Sequence, residues 1–298
     1  MAEGPVPEAR WIETRDGLRL RAALWPEGTR GTVVMFQGRT EYIEKYSDAA
    51  RHLAERGFAA AALDWQGQGL STRSQADRRI GHVNDFNDFQ TDVDAFLDHC
   101  AARRLPRPWH LLGHSMGGAI GLRALLRVLP FERAVFSAPM WGLKMLPQQR
   151  ILGWTVSALG SSLGLSGRLT PGSGKVADPA SQPFEGNLLT SDPEMFAWMK
   201  AQIQAHPDLA LGGPSIGWLW SALREMHALA RAAAPDVPTL TLLGTEEGIV
   251  DPDAIHVRMA SWPKGALEMV EGARHEVLME GAATRARLYD RIAAHLDG

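Results

Sequence analysis

The chain has 298 residues, a formal net charge of −3, 45% hydrophobic residues and 22% charged residues. This composition is ordinary for a globular protein with enough apolar material for a large core. It argues against a nucleic-acid partner, which usually shows as a basic excess, and the single cysteine, Cys100, excludes an intrachain disulfide and a site built from several thiolates.

The sequence shows neither the pattern of a signal peptide nor that of a membrane span. Residues 1–10 carry acidic residues and prolines but no apolar stretch, so they do not resemble a signal peptide. No run reaches the roughly 18 apolar residues of a membrane span. We therefore expect a cytoplasmic protein with no obligate protein partner. The uncharged segment 151–167 is either a buried helix or a segment that makes transient contact with a membrane surface, which would make the protein peripheral to the membrane.

Short apolar runs alternate with helical patterns over much of the chain. Most of the runs are continuously apolar, as in strands buried on both faces of a parallel sheet. The pattern predicts the α/β class, with a mostly parallel central sheet and helices on both of its faces. The predicted strands are 18–22, 32–36, 58–63, 109–112, 134–136, 239–243 and 266–270. The predicted helices are 44–56, 87–103, 116–129, 253–260 and 283–296.

The alternation is interrupted between about Pro139 and Pro238, where the sequence is rich in Gly, Pro, Met and Trp. We interpret this stretch as a helical cap inserted between two strands of the sheet. The predicted division is an α/β core of residues 1–139 and 236–298, with a cap, or lid, of residues 140–235.

A Gly-x-Ser-x-Gly motif stands between a predicted strand and a predicted helix. In that context the motif is a nucleophile elbow, a sharp turn that lifts the serine oxygen of Ser115 to the top of the sheet. Side chains at Gly113 and Gly117 would collide with the neighbouring strand and helix. The helix that begins at Met116 directs its amide groups to the same point, so the Met116 N–H is a predicted oxyanion donor.

A serine hydroxyl is a weak nucleophile near neutral pH and needs a base. In this fold the partners follow in the order serine, acid, histidine. His275 follows the last predicted strand and is the predicted base. His114, which is adjacent to Ser115 but should point elsewhere, is interpreted as a supporting residue.

The acid should follow the predicted strand 239–243, where three carboxylates compete. A carboxylate there would hold the histidine tautomer and stabilise the imidazolium. Glu247 is the first choice, and Asp251 and Glu246 remain alternatives. An acid that is not in the triad would be a solvated group or a helix cap.

The loop after strand 32–36 should supply the second oxyanion donor. Gly38 permits a close approach of the backbone, and the N–H of Arg39 is the predicted donor. Gln37 and Gly38 are expected near the substrate, and Trp141 and Leu143, just after a strand end, are expected to line the pocket wall. Alternatively, Trp141 and Leu143 pack the cap onto the sheet.

These motifs resemble those of the bacterial lysophospholipase branch of the α/β hydrolases, which is related to the monoacylglycerol lipases. The similarity covers nearly the whole chain. The chain departs from the family at three places: Gln37, where relatives often have histidine; Trp65-Gln66-Gly67, where they often have Gln-Arg-Gly or His-Arg-Gly; and Glu247, where monoacylglycerol lipases usually have aspartate. The resemblance is carried by Gly38-Arg39-Thr40-Glu41 with Lys45-Tyr46, Asp64 to Ser71, Gly81-His82-Val83, Gly186 to Asp192, His206-Pro207 to Gly217-Trp218, and His275-Glu276.

The resemblance implies a serine hydrolase that cleaves carboxylic esters through an acyl-enzyme intermediate, with no cofactor and no metal ion. Lysophospholipids and monoacylglycerols are the expected substrates. The alternatives are another Ser-His-acid hydrolase, such as a thioesterase, lactonase or peptidase, and a catalytically silent binding protein on the same fold.

Overall fold

The seven predicted apolar runs and one further strand form a single eight-stranded sheet. The computed structural model describes residues 6–173 and 182–298. The order across the sheet is β1-β2-β4-β3-β5-β6-β7-β8. The first two strands run antiparallel to their neighbours, and the other neighbouring pairs are parallel, so the expected mostly parallel sheet is confirmed. The strands are β1 (Glu8–Glu13), β2 (Arg19–Trp25), β3 (Thr32–Phe36), β4 (Ala59–Asp64), β5 (Trp109–His114), β6 (Arg133–Ser137), β7 (Thr239–Gly244) and β8 (Gly265–Val270).

Helices connect most of the parallel strands. They are α1 (Ser47–Ala54), α2 (Asp88–Ala102), α3 (Met116–Leu126), α4 (Pro147–Ser162), α5 (Pro193–Ala205), α6 (Ile216–Arg231), α7 (Pro252–Ala260) and α8 (Ala282–Asp297). Helix α1 packs on β4 and contacts α8, whereas α3 packs on β5 and contacts α2. These two groups agree with the expected helices on both faces of the sheet.

Strand β1 is the one strand of this sheet that the sequence patterns missed. Its residues are mostly exposed, and Trp11 is half-exposed, with the Arg19 guanidinium 4.6 Å from its ring centroid. An edge strand on a wet surface lacks the apolar run by which the buried strands were recognised. Pairing with β2 holds it in place instead.

The segment between β6 and β7 contributes helices α4, α5 and α6 and, within its described residues, no strand of the central sheet. Helix α4 packs along α6 through small residues on one face. A Cβ on Gly160 would lie 2.8 Å from Ile216, so this glycine allows the two helices to approach closely. The boundaries of the predicted core and cap stay a prediction.

The opposite face of α4 is apolar and open. Ile151, Leu152 and Leu159 have exposed fractions of 69%, 61% and 58%, and Ser157 and Gly160 are the buried residues of the helix. The interpretation of segment 151–167 as a buried helix therefore applies only to the face of α4 that packs against α6. Among the described residues, no helix combines the length and the hydropathy that crossing a bilayer requires.

Asp64, at the end of β4, joins three parts of the chain near the top of the sheet. It is fully buried and accepts hydrogen bonds from Ile43 N (2.9 Å), Leu70 N (2.9 Å) and the Arg21 guanidinium (2.8 Å). Burial raises the pKa of this carboxyl to about 6, although Arg21 and the Leu70 N–H oppose the shift. The loops that follow β3 and β4 are thereby held against each other.

Candidate active site

Ser115 occupies a strained turn between β5 and α3. Its φ of 50° and ψ of −117° lie in a region that L residues rarely adopt. A Cβ at Gly117 would lie 1.9 Å from the Phe36 carbonyl oxygen, and one at Gly113 would lie 2.9 Å from the Gly117 oxygen. The two glycines therefore let α3 approach the end of β3 closely enough to hold the serine in this turn.

Ser115, His275 and Glu247 form a continuous hydrogen-bonded line. The Ser115 Oγ lies 2.9 Å from His275 Nε2, and His275 Nδ1 lies 2.8 Å from Glu247 Oε2. The second Glu247 oxygen accepts the Ile249 and Val250 N–H groups at 2.6 and 3.1 Å. Burial raises the pKa of Glu247, but His275 and these N–H groups outweigh it and hold the pKa below its ordinary value. Glu247 is thus kept as a carboxylate beside the imidazole.

The two other candidate acids lie elsewhere. The Asp251 side chain accepts the Asp253 N–H at 3.1 Å and caps the N-terminus of α7. Glu246 is exposed to solvent, and its backbone N–H donates to Ala273 O. Of the three carboxylates, the structure brings only Glu247 to the histidine, and it does so because the turn after Gly244 directs that side chain inward.

Two backbone amides are available near the serine. Met116 is the first residue of α3, where the N–H groups lack intrahelical acceptors. The Arg39 N–H donates to no acceptor in residues 6–173 and 182–298. Gly38 N donates to a Glu41 carboxylate oxygen, and Thr40 N donates to Gln68 Oε1 at 2.8 Å, so the loop on both sides of Arg39 is held by side chains. The loop is therefore ordered before substrate binds.

A buried charge cluster, Glu41, Lys45, His114 and Glu276, lies directly behind this loop. Lys45 Nζ contacts a Glu41 carboxylate oxygen and lies 2.6 Å from Glu276 Oε1, and His114 Nε2 lies 3.3 Å from Glu276 Oε2. The cluster joins the loop that carries Gly38 and Arg39 to the residue that follows His275. The His114 ring lies 4.9 Å from the His275 ring, and the supporting role of His114 stays a prediction.

The charges in this cluster balance one another. Burial raises the pKa of Glu276, yet Lys45 and His114 hold it well below its ordinary value. Burial lowers the pKa of His114, but Glu276 and Glu41 raise it overall. Glu41, His114 and Glu276 offer ligand atoms within 4.8 Å of one another. The Lys45 ammonium already supplies the positive charge that a metal ion would bring between the two carboxylates.

A cavity of about 420 Å³ opens above Ser115 and His275. This volume falls within the range of small-molecule sites. Gly38 and Leu143 line it, as the sequence predicted. The other lining residues are Arg39, Thr40, Glu41, His114, Ser115, Met140, Gln182, Gly186, Leu188, Leu189, Met199, Trp218, Ile249, His275 and Glu276.

Gln37 and Trp141 do not line this cavity, which corrects the sequence expectation for both. Trp141 is buried against Phe136 and Trp262, with ring centroids at 5.1 and 6.0 Å, and its Nε1 donates to Gly118 O. It packs the start of the insertion onto the sheet, the alternative left open above. Gln37 is fully buried, and its amide oxygen and nitrogen have no hydrogen-bond partner among the described residues.

The segment 186–192 positions the histidine loop, a role that sequence analysis did not assign. Leu188 O accepts His275 N at 3.3 Å, and Leu189 O accepts Glu276 N at 2.7 Å. Asn187 Oδ1 accepts the Leu189 and Thr190 N–H groups and shapes the turn. The motif was visible in the sequence, but its contact with a residue so far along the chain was not.

Comparison with known proteins places the chain in a family. The family model described as serine aminopeptidase, S33, matches residues 27–282. Lysophospholipase L2 of Escherichia coli K12 is 33% identical over 271 residues, which are 85% of this chain and 76% of that protein. The chain belongs to this S33 family of α/β hydrolases. The expected α/β-hydrolase fold and the expected branch of the superfamily are both confirmed.

A monoglyceride lipase of Saccharomyces cerevisiae is 31% identical over 122 residues, which are 39% of this chain and 38% of that protein. The structure of a soluble variant of monoglyceride lipase from the same yeast, in complex with a substrate analog, superimposes with a TM-score of 0.77 at 21% identity. That match covers 100% of this chain and 97% of the other, and it demonstrates a shared fold.

The charge cluster predicts how the free energy of unfolding depends on pH. His114 has a raised pKa in the folded protein, so its contribution to stability is fully present below its unfolded pKa of about 6.5 and is lost as the pH rises through the folded value. Glu276 has a lowered pKa, so its contribution is present above about 4.5. We expect His114→Gln to cost about 3 kcal/mol near pH 6, and less at pH 9.

Urea unfolding of wild type and variant between pH 5.5 and 9 measures this difference. His256→Gln, at an exposed position on α7, is the matched control and should cost little at any pH. A His114→Gln cost that grows as the pH rises would contradict a charged His114 in the folded protein.

Proposed function

We propose that the protein hydrolyses the carboxylic ester of lysophospholipids or monoacylglycerols, with Ser115 as nucleophile, His275 as general base and Glu247 as the acid that orients it. The observation that carries the proposal is the hydrogen-bonded line from Ser115 through His275 to Glu247 at the base of an accessible cavity. The names of the relatives supply the substrate classes.

The reaction would proceed in two stages. Ser115 Oγ attacks the ester carbonyl while His275 Nε2 accepts its proton, and the oxyanion binds the N–H groups of Arg39 and Met116. Each such donor typically accounts for about 10²–10³ in rate. His275 then protonates the departing alcohol, and water, activated by the same imidazole, releases the fatty acid.

The cavity suits a fatty acyl chain. Apolar side chains form much of its wall: Met140, Leu143, Leu188, Met199, Trp218 and Ile249. Burial of a methylene group there is worth about 0.8 kcal/mol. Most of these residues lie in the predicted cap, so we propose that residues 140–235 act as the lid and the acyl-binding wall.

The peptidase alternative has less support than ester hydrolysis. An aminopeptidase has to bind the α-ammonium group of its substrate, which calls for a free carboxylate near the serine. Glu41 and Glu276 line the cavity, but both are already paired with Lys45, and Glu276 is also paired with His114. A cationic substrate terminus would have to displace a buried lysine.

We also propose a cytoplasmic enzyme that contacts membranes through α4. Cys100 is buried and free, which fits a reducing compartment. The exposed apolar face of α4, with Leu163 just beyond its end, could enter the interfacial region of a bilayer. Substrate lipids would then reach the cavity from the surface on which they reside.

Ser115→Ala should abolish turnover of oleoyl esters of glycerol and glycerophospholipids while leaving the fold intact, because no other group replaces the attacking oxygen. Fatty-acid release and circular dichroism measure the two properties. A fluorophosphonate probe should label the wild type and not the variant. Full esterase activity of the variant would refute the assignment, and an unlabelled wild type would favour a silent binding protein.

Glu247→Gln should lower kcat by about 10³-fold or more, because an amide cannot stabilise the imidazolium and can select the wrong histidine tautomer. Asp251→Asn is the matched control, since that carboxylate caps α7 and should leave kcat within about twofold. Steady-state kinetics on a monoacylglycerol distinguish the two residues. The reverse ranking of the two variants would identify Asp251 as the acid.

Replacing Ile151, Leu152 and Leu159 together by serine should weaken partitioning onto anionic vesicles by about tenfold, equivalent to about 1.4 kcal/mol of lost apolar contact. Co-sedimentation measures the bound fraction. Val257→Ser removes an equally exposed apolar side chain from α7 and should change nothing. Equal binding of wild type and triple variant would exclude α4 as the contact surface.

A further inference from the structure

The Arg39 side chain lies where the oxyanion loop meets the helical insertion. Its Nη2 donates to Gly212 O at 2.7 Å, and its guanidinium lies 5.1 Å from the Trp218 ring centroid. A Cβ at Gly81 would lie 2.4 Å from Nη2, so the absence of a side chain there makes room for the guanidinium. Three separate stretches of the chain therefore meet at this cation: the loop that carries Arg39, Gly81, and the segment that contains Gly212 and Trp218.

This guanidinium has no carboxylate partner among the described residues. Nη2 has its carbonyl acceptor, but Nε is buried without one, and Nη1 donates to no residue in 6–173 or 182–298. Burial lowers the pKa of Arg39 to about 10, so the group is still charged at neutral pH. Neither Nε nor Nη1 therefore has a protein acceptor in the part of the chain that the structure describes, and this partly exposed residue lines the same cavity as Ser115 and His275.

Unlike Arg39, the cations Lys45 and Arg21 have carboxylate partners. Lys45 contacts both Glu41 and Glu276, and Arg21 is paired with Asp64 and Glu44. These cations, close to the same loops, are balanced by carboxylates within the chain. A desolvated cation without an anion is costly, and an anionic ligand would remove that cost.

We propose that the Arg39 guanidinium binds the phosphate of a lysophospholipid head group. This assignment rests on the proposed ester hydrolysis and selects phosphate-bearing substrates over neutral glycerides. Arginine is well suited to the task because its planar fork can bind two phosphate oxygens at once. The ester and the phosphate of a lysophospholipid are joined by one glycerol unit, and one residue, Arg39, would bind the oxyanion with its N–H and the phosphate with its side chain.

A purely structural role for Arg39 makes a different prediction. If the side chain only fastens the insertion to the core through Gly212 and Trp218, its loss should impair all esters alike. If it binds phosphate, its loss should change the preference between a charged and a neutral ester of the same acid. Any change in the shared oxyanion hole cancels in that ratio.

The experiment compares kcat/KM for 1-oleoyl-lysophosphatidylglycerol, 1-oleoyl-lysophosphatidic acid and 1-oleoylglycerol. In Arg39→Met the ratio of either phospholipid to the glyceride should fall about 10- to 100-fold, the range expected for a lost charge-assisted hydrogen bond. Arg39→Lys, which keeps the charge but not the fork, should lose less. A fall in the ratio for lysophosphatidic acid alone would mean that the site binds a phosphate monoester rather than a phosphodiester.

Arg224→Met is the matched control. Arg224 also lies beside a tryptophan, 5.7 Å from the Trp220 ring centroid on α6, but it is exposed and does not line the cavity. Its ratio should equal that of the wild type. An unchanged ratio in Arg39→Met would overturn the phosphate assignment and leave ester hydrolysis standing, whereas a wild type that cleaves none of the three esters would refute the proposed function itself.

A second measurement uses the wild type alone and does not depend on the folding of a variant. Non-hydrolysable 1-O-alkyl analogues with and without the phosphate should compete with a neutral chromogenic ester. The phosphate-bearing ether should inhibit at least about tenfold more strongly than the alkylglycerol of equal chain length. Equal inhibition by the two ethers would contradict a phosphate site.

Discussion

The close approach of α3 to the end of β3 is the constraint on which the rest of the site depends. Only a hydrogen atom fits between Gly117 and the Phe36 carbonyl, and this contact holds Ser115 in its strained turn. The same contact brings the first amide of α3 beside the loop that carries Arg39. Packing of the core therefore provides the energy that keeps the serine oxygen raised and the two predicted oxyanion donors together.

The buried charge cluster described above stabilises this arrangement. Glu41 orders the loop that carries Arg39 by accepting the Gly38 N–H, and Lys45 joins Glu41 to Glu276, which follows His275 in the chain. The cluster thus connects the loop that would hold the oxyanion with the loop that carries the imidazole. Charges so deeply buried are tolerated because each has an opposite partner within contact distance. Arg39, at the wall of the cavity, departs from that pattern, because residues 6–173 and 182–298 give its guanidinium no carboxylate partner.

The sequence errors share a physical cause. Strand β1 was missed because its surface is exposed and its stability comes from pairing with β2, which leaves no apolar run. Trp141 was expected at the pocket wall because it follows a strand end, yet the same position allows it to turn inward onto Phe136 and Trp262. Helix α4 was ambiguous because an uncharged segment does not reveal which face has a partner.

The sequence by itself determined where the buried strands lie along the chain, the elbow around Ser115 and the candidate base His275, since apolar runs and a local turn motif can be recognised from neighbouring residues alone. The tertiary structure alone decided which of three nearby carboxylates meets the imidazole, and which side chains face the cavity. Those choices depend on where loops distant in the chain come together, as when Leu188 holds the backbone of His275. Local sequence patterns do not reveal such contacts, because the direction in which a side chain points depends on packing between elements rather than within them.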